Sequence, residues 1–241
     1  MMISIILNEW KILVRNRSIV YVSLVFMLSI ISVVWMGNLQ SKNQSQAQIA
    51  AEEHIRAQWD NLEPMNPHRA AHYGVYVFKP ISILNSLDDG VSSITGNVLK
   101  LEGHVQNEIV HSEASQSITI SRFGKLKPST ILQYMVPLFL IFLSFGSISN
   151  DKETGRLKLI ALQGVSLEKL VLSKSLSIWL YGLILLIFSI ILQLLLGSSS
   201  ADFGKRIGFI LISYGLYYFI VVCLSTYISA SFKNNLSLIH I

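Results

Sequence analysis

The chain has 241 residues and a formal net charge of +5, yet charged residues make up only 14% of it and the mean hydropathy is +0.52. Soluble proteins carry about a quarter charged residues, so an ordinary water-soluble domain is excluded. The deficit is concentrated: windows 18–41, 128–150, 175–201 and 207–232 contain no Asp, Glu, Lys or Arg. Elsewhere the charge density is that of normal soluble protein, which predicts a mainly α membrane protein with a water-facing part.

The first 16 residues precede any apolar window but are patterned. Ile3, Ile6, Leu7, Trp10, Leu13 and Val14 fall on one helical face, while Glu9, Lys11 and Arg15 lie elsewhere on the wheel. An amphipathic helix with Trp at its apolar edge suits a membrane interface, so this segment reads as an interfacial elbow helix. Each window is long enough for a bilayer, because roughly 20 helical residues at ~1.5 Å each cover ~30 Å of hydrocarbon. Spans are expected near Ile19–Met36, Ser129–Ser149, Leu176–Leu196 and Ile207–Tyr227. They are apolar on every face, which favours helices over barrel strands. A signal peptide fits the first run poorly: its apolar stretch exceeds the usual 7–15 residues or so, and no A-x-A-like site follows.

Basic residues set the orientation. The N-terminus carries Lys11, Arg15 and Arg17, and segment 150–174 carries Lys152, Arg156, Lys158, Lys169 and Lys174. The loop 197–206 has only Lys205 and Arg206. The N-terminus, the 150–174 segment and the tail are therefore expected in the cytoplasm, with 42–127 outside. That outer segment has eight basic and nine acidic residues, so the basic balance reflects the inner face and no nucleic-acid partner is called for. The lone Cys223 lies in the fourth window, which precludes an intrachain disulfide. The expected division is an interfacial helix at 1–17, span one at 18–37, a small mixed extracytoplasmic domain at 38–127 and span two at 128–149. A cytoplasmic segment at 150–175, span three at 176–197, an external loop at 198–206, span four at 207–229 and a tail at 230–241 follow.

In the outer segment, residues 39–60 lack Gly and Pro and read as a helix rising from the first span, stopped by Pro64 and Pro67. Tyr73–Phe78 has strand character but suits a buried turn equally. Asp88-Asp89-Gly90, Gly96-Asn97 and Gly103 signal turns, and a short polar helix is expected over Glu108–Gln116. Five histidines fall here: His54, His68, His72, His104 and His111. His68 and His72 would share a face in a helix opened by Pro67, which makes them weak metal candidates. Tyr73-Gly74 limits that helix, no cysteine joins the set, and nearby carboxylates lack diagnostic spacing, so structural or surface histidines are the preferred reading.

Pro137 falls mid-span and predicts a kink whose freed carbonyl neighbours must satisfy. No ionisable residue sits at depth in the four spans, unlike ion-coupled carriers. Their polar content, Gln133, Ser144, Ser147, Gln193, Ser213, Tyr181, Tyr214, Tyr217 and Tyr218, fits interhelical hydrogen bonding or a polar pathway, with helix packing the preferred reading. There is no G-x-x-x-x-G-K-[ST] phosphate loop and no nucleophile elbow, so no catalytic residue is assigned and any energy for transport comes from another chain. Between spans two and three, Asn150–Lys174 offers a charged entry, a short amphipathic helix with Leu157, Ile160 and Ala161, a break at Gly164, and Ser166 opening a second helix. A charged face with an apolar stripe held between two membrane helices suits a docking lever for another protein, the alternative being a surface helix that lies on lipid headgroups.

The string E-x-G-R-L-x-L-x-x-x-Q-G-V-S, leading a Lys-bearing helix over Glu153–Lys174, resembles the segment after the second span in type-2 ABC exporter permeases. N-P-H-R-A-A-H-Y-G at Asn66–Gly74, F-K-P at Phe78–Pro80 and S-R-F-G at Ser121–Gly124 are similar to a branch with a large extracytoplasmic loop. The resemblance implies a multi-pass permease subunit of a bacterial inner membrane, usually dimeric, paired with a separate cytoplasmic ATPase that uses ATP-Mg. It implies no cofactor in this chain. It further implies that Asp151, Lys152, Glu153, Thr154, Gly155, Arg156 and Leu157 form or flank the ATPase contact, and that Gly164, Val165 and Ser166 turn the chain back to the membrane. The family normally has six spans, whereas four precede the final N-N-L-S-L-I-H-I, so a partial chain is expected. The alternative is a membrane-anchored sensor with an extracytoplasmic ligand domain. A sensor would run into a long output helix after Asn150, whereas here the chain returns to the membrane within about 25 residues. A membrane metalloenzyme rests on the histidines alone.

Overall fold

A computed structural model describes residues 2–105, 126–196 and 201–232. Four helical stretches are long and apolar enough to cross a membrane: Arg17–Asp60, Pro128–Glu153, Leu167–Leu196 and Asp202–Ser231. Each overlaps one of the charge-free windows. The chain divides into two compact units, one of Met1–Ser32, Ser129–Leu195 and Ser199–Ile241, the other of Val33–Pro128 with Leu196–Ser198.

The first unit begins with α1 (Met2–Arg15). Asn16 ends it and starts α2 (Arg17–Asp60), its Oδ1 accepting the Ser18 amide at 3.1 Å, so one short polar side chain caps the entry to the first apolar helix. The second apolar stretch enters through a helical turn at Pro128–Thr130 and a π-helical turn at Ile131–Met135, then continues as α5 (Val136–Phe145). The π turn is the structural answer to Pro137. The Val136 amide reaches back five residues to Ile131, and Pro137 has no amide to offer Gln133. Two neighbours fill the gap: Tyr218 Oη donates to the Leu132 carbonyl at 2.8 Å and Tyr217 Oη to the Gln133 carbonyl at 3.2 Å. The expected bend at Pro137 is thus realised as a bulge one turn earlier, and two of the tyrosines serve interhelical hydrogen bonds. Tyr218→Phe leaves the Leu132 carbonyl buried without a partner and should cost about 1–3 kcal/mol, seen as a lower thermal midpoint in detergent.

After α5 come α6 (Ser149–Glu153), α7 (Arg156–Leu162), α8 (Leu167–Leu196) and α9 (Ala201–Ser231). α9 packs along α5, and α8 meets α9 through Trp179 Nε1 donating to the Gly215 carbonyl at 2.8 Å and through a Ser175–Thr226 hydroxyl pair at 2.7 Å. Small hydroxyls at these contacts allow close approach and satisfy one another away from water. Phe26 stacks on Phe139 at 4.8 Å, and Ser23 hydrogen-bonds Tyr181, which brings the start of α2 against α5 and α8. α9 begins at Ala201, so 201–206, expected as loop, is helical. Asp202 lies in its first turn, where a carboxylate favours the helix dipole; the charges there mark a polarity boundary and not a helix end.

The second unit contains the rest of α2, α3 (Pro67–Tyr73), β1 (Val75–Phe78), α4 (Ser92–Thr95) and β2 (Val98–Leu101). The strand reading of the segment after Tyr73 holds: β1 pairs antiparallel with β2, Val75 opposite Leu101 and Phe78 opposite Val98. The helix expected over 39–60 is the uninterrupted continuation of α2, ending at Asp60 ahead of both prolines. The turn at Ser82–Leu87 is seated on α2 by Asn85, whose Nδ2 donates to Gln44 Oε1 at 2.9 Å. The buried Lys127 ammonium donates to the Asn85 carbonyl and pairs with Asp89. The helix expected at 108–116 and the 121–124 string lie outside the described residues.

Candidate functional site

The segment from Ser147 to Ser166 joins α5 to α8 and is built in two layers. The inner layer is a charge cluster around Lys174. This lysine sits in the first turns of α8 between Leu170 and Ile178, both buried, and is itself only 4% exposed. An ammonium in that position is stable only when its donors are matched. Nζ donates to the Ser147 carbonyl at 2.8 Å and lies 2.8 Å from Asp151 Oδ2 and 3.2 Å from Glu9 Oε1. Asp151 is likewise 4% exposed, and Arg156 Nη1 lies 3.6 Å from its other oxygen. Two cations face two carboxylates, so the cluster is neutral. One side chain thereby ties α1, the α5–α6 link and α8 together.

A second set of bonds ties the link to α9. Ser229 Oγ accepts the amides of Ile148 and Ser149, each at 3.2 Å, which satisfies two orphan donors at the start of α6. Lys152 donates to the carbonyls of Ala230 and Phe232, the latter at 3.2 Å, where a cation suits the C-terminal end of a helix.

The outer layer starts at Gly155, which turns the chain with φ of +73°, and closes at Gly164, with φ of +82°; L side chains rarely adopt either. Between them α7 stands away from the bundle with no buried residue. Leu162 is 85% exposed and Leu159 62%, flanked by exposed Arg156 and Lys158. The residues expected at an ATPase contact thus divide. Glu153, Thr154, Arg156, Gly164 and Ser166 are exposed, Lys152, Gly155, Leu157 and Val165 are half-buried, and Asp151 is internal. Leu170 donates its amide to the Ser166 carbonyl at 3.1 Å, so α8 starts where the sequence expects.

Sequence reasoning missed Lys174 and Glu9 as members of this site. Lys174 stands next to a charge-free window and reads as a flanking charge. The available signal was its place on the apolar face shared by Leu170 and Ile178. In the second unit, His68 and His72 lie one turn apart on α3, and His104 joins them from the turn after β2.

The chain matches, over residues 65–241, the family described as ABC-2 family transporter protein. The matched region takes in the Ser147–Ser166 segment, α8 and α9, and the chain belongs to this family. It is therefore a multi-pass membrane protein of the transporter-permease class, not itself catalytic, in a family whose membrane subunits associate with an ABC ATPase within a lipid bilayer. No curated protein and no solved structure matches the chain.

Proposed function

We propose that this chain is the membrane subunit of a type-2 ABC exporter of a bacterial inner membrane, pairing with a second permease copy and with a cytoplasmic ATPase that hydrolyses ATP-Mg. In this reading the N-terminus, the 150–175 segment and the tail are cytoplasmic, and 38–127 forms an extracytoplasmic domain. α1 lies in the inner leaflet with its exposed Ile3, Leu7 and Val14 against lipid. α7 and its two glycine turns are the ATPase-facing lip, with Glu153, Thr154, Arg156 and Leu157 at the contact and Gly164, Val165 and Ser166 at the return.

The observation that carries the proposal is the two-layer construction. An exposed lip of leucines and cations on its own would be only a sticky surface. Here it is continuous with a buried charge cluster that holds α1 and α8, and with Ser229 and Lys152, which hold α9. A push on α7 is passed to α1, α8 and α9 through these ion pairs and hydrogen bonds, which link the segment to all three helices. Asp151 acts inside this relay, behind the contact surface.

Replacing Glu153 and Arg156 with Ala together with Leu162→Asp should abolish co-purification with the ATPase and leave membrane insertion intact. Retained association with unchanged transport would show that α7 is not the gripping element.

A further inference from the structure

The three histidines of the second unit form the strongest cluster of metal-ligating groups among the described residues. His68 and His72 project from the same side of α3, four residues apart, with ring centroids 4.7 Å apart. His104 lies beyond β2, more than thirty residues on in the chain, yet its ring is 5.9 Å from that of His68 and 5.3 Å from that of His72. One ligand nitrogen from each residue lies within 4.8 Å of the other two. A tetrahedral ion bound by imidazole at ~2.0–2.1 Å needs nitrogens about 3.4 Å apart. All three residues are exposed, and reaching that spacing from at most 4.8 Å brings the nitrogens together by about 1.4 Å or less.

The backbone delivers His104 to this place without help from the histidines. The β1–β2 register ends at Val75 opposite Leu101, and the next turn docks on α3, the Gly103 amide donating to the Ala71 carbonyl at 2.8 Å. Ala71 immediately precedes His72, so the docked turn carries His104 to the helix face that bears both other rings. His104 also has φ of +63°, the only non-glycine residue with positive φ among those described. Histidine, like asparagine and aspartate, is among the non-glycine residues that take this conformation most readily, so the turn holds His104 without unusual strain.

We propose that His68, His72 and His104 bind a divalent first-row transition-metal ion of the zinc type, with a fourth position open to water or an external donor. Three neutral imidazoles without a carboxylate disfavour calcium and magnesium, which require oxygen ligands, and suit Zn2+, Co2+, Ni2+ or Cu2+. The bound ion staples the turn after β2 to α3 and closes a loop of roughly thirty residues across the hairpin. The site lies wholly within the second unit and is independent of the coupling reading.

The test uses the full chain in detergent, carrying no polyhistidine tag and stripped with chelator, titrated with Zn2+ against a chromophoric competitor. One tight equivalent per chain is expected, and Co2+ should give the visible bands of a four- or five-coordinate site. His72→Ala and His104→Asn should each weaken Zn2+ binding by at least about 100-fold, since each removes one of three ligands. Asn tolerates the left-handed backbone, so His104→Asn keeps the turn, and unchanged circular dichroism in both variants guards against a folding artefact. His54→Ala on α2 should leave binding unaltered. Absence of saturable binding, or binding equally tight in both ligand variants, would overturn the site.

Discussion

Lys174→Met should destabilise the membrane unit by about 3–5 kcal/mol, because it strands the carboxylate of Asp151 in a buried position with its nearest cation gone. The Ser147 carbonyl and Glu9 lose a partner in the same step. Arg156 does not compensate: it is half exposed and 3.6 Å from Asp151, a geometry worth little across solvent. The thermal midpoint in detergent should fall, and any ATPase bound to the variant should hydrolyse ATP without driving transport. The double variant Asp151→Asn with Lys174→Met should recover part of the lost stability, since it removes the stranded charge and its partner together. A Lys174→Met protein with the parent's midpoint and the parent's coupling would mean that the cluster is ornamental.

Gly37→Ala should also be destabilising, against the usual sign for a helix. Alanine normally improves a helical glycine position by about 1 kcal/mol. In α2, however, a β-carbon at residue 37 would sit well inside van der Waals contact with the Ser86 carbonyl oxygen and 3.2 Å from Pro128 Cδ. The obstructing atom is backbone, on the turn that carries Asn85, so relief requires that turn to lift off α2 and to strain the Asn85–Gln44 and Asn85–Lys127 bonds. A net loss of about 1–3 kcal/mol is expected for Ala, more for Val, with faster proteolysis within 38–127 than in the parent. Equal or greater protease resistance in the Ala variant would contradict the close approach.

Much of this architecture was legible in the order of residues. Charge exclusion located all four membrane-length helices, because moving an ionised group into hydrocarbon is too costly to be tolerated at random. The apolar spacing from Ile3 to Val14 gave α1, and the lack of Gly and Pro between Leu39 and Asp60 gave the long continuation of α2. Gly164, which ends α7 with positive φ, was visible as a break between two helices. The boundary at 201–206 was misread, because polarity reports where lipid stops and not where hydrogen-bonded helix stops.

Sequence by itself determined the periodic and local features: which stretches are helical, which are apolar, where the chain turns. Each depends on interactions within a few residues, and those recur wherever the pattern does. Tertiary structure alone decided that Lys174 is an internal tie and not a flanking charge, that Asp151 is buried beside it, that tyrosines of α9 replace the amide missing at Pro137, and that His104 meets His68 and His72. Each pairing joins residues far apart in the chain, and nothing in their local spacing encodes the partner; packing creates the proximity, and burial then sets its energetic worth.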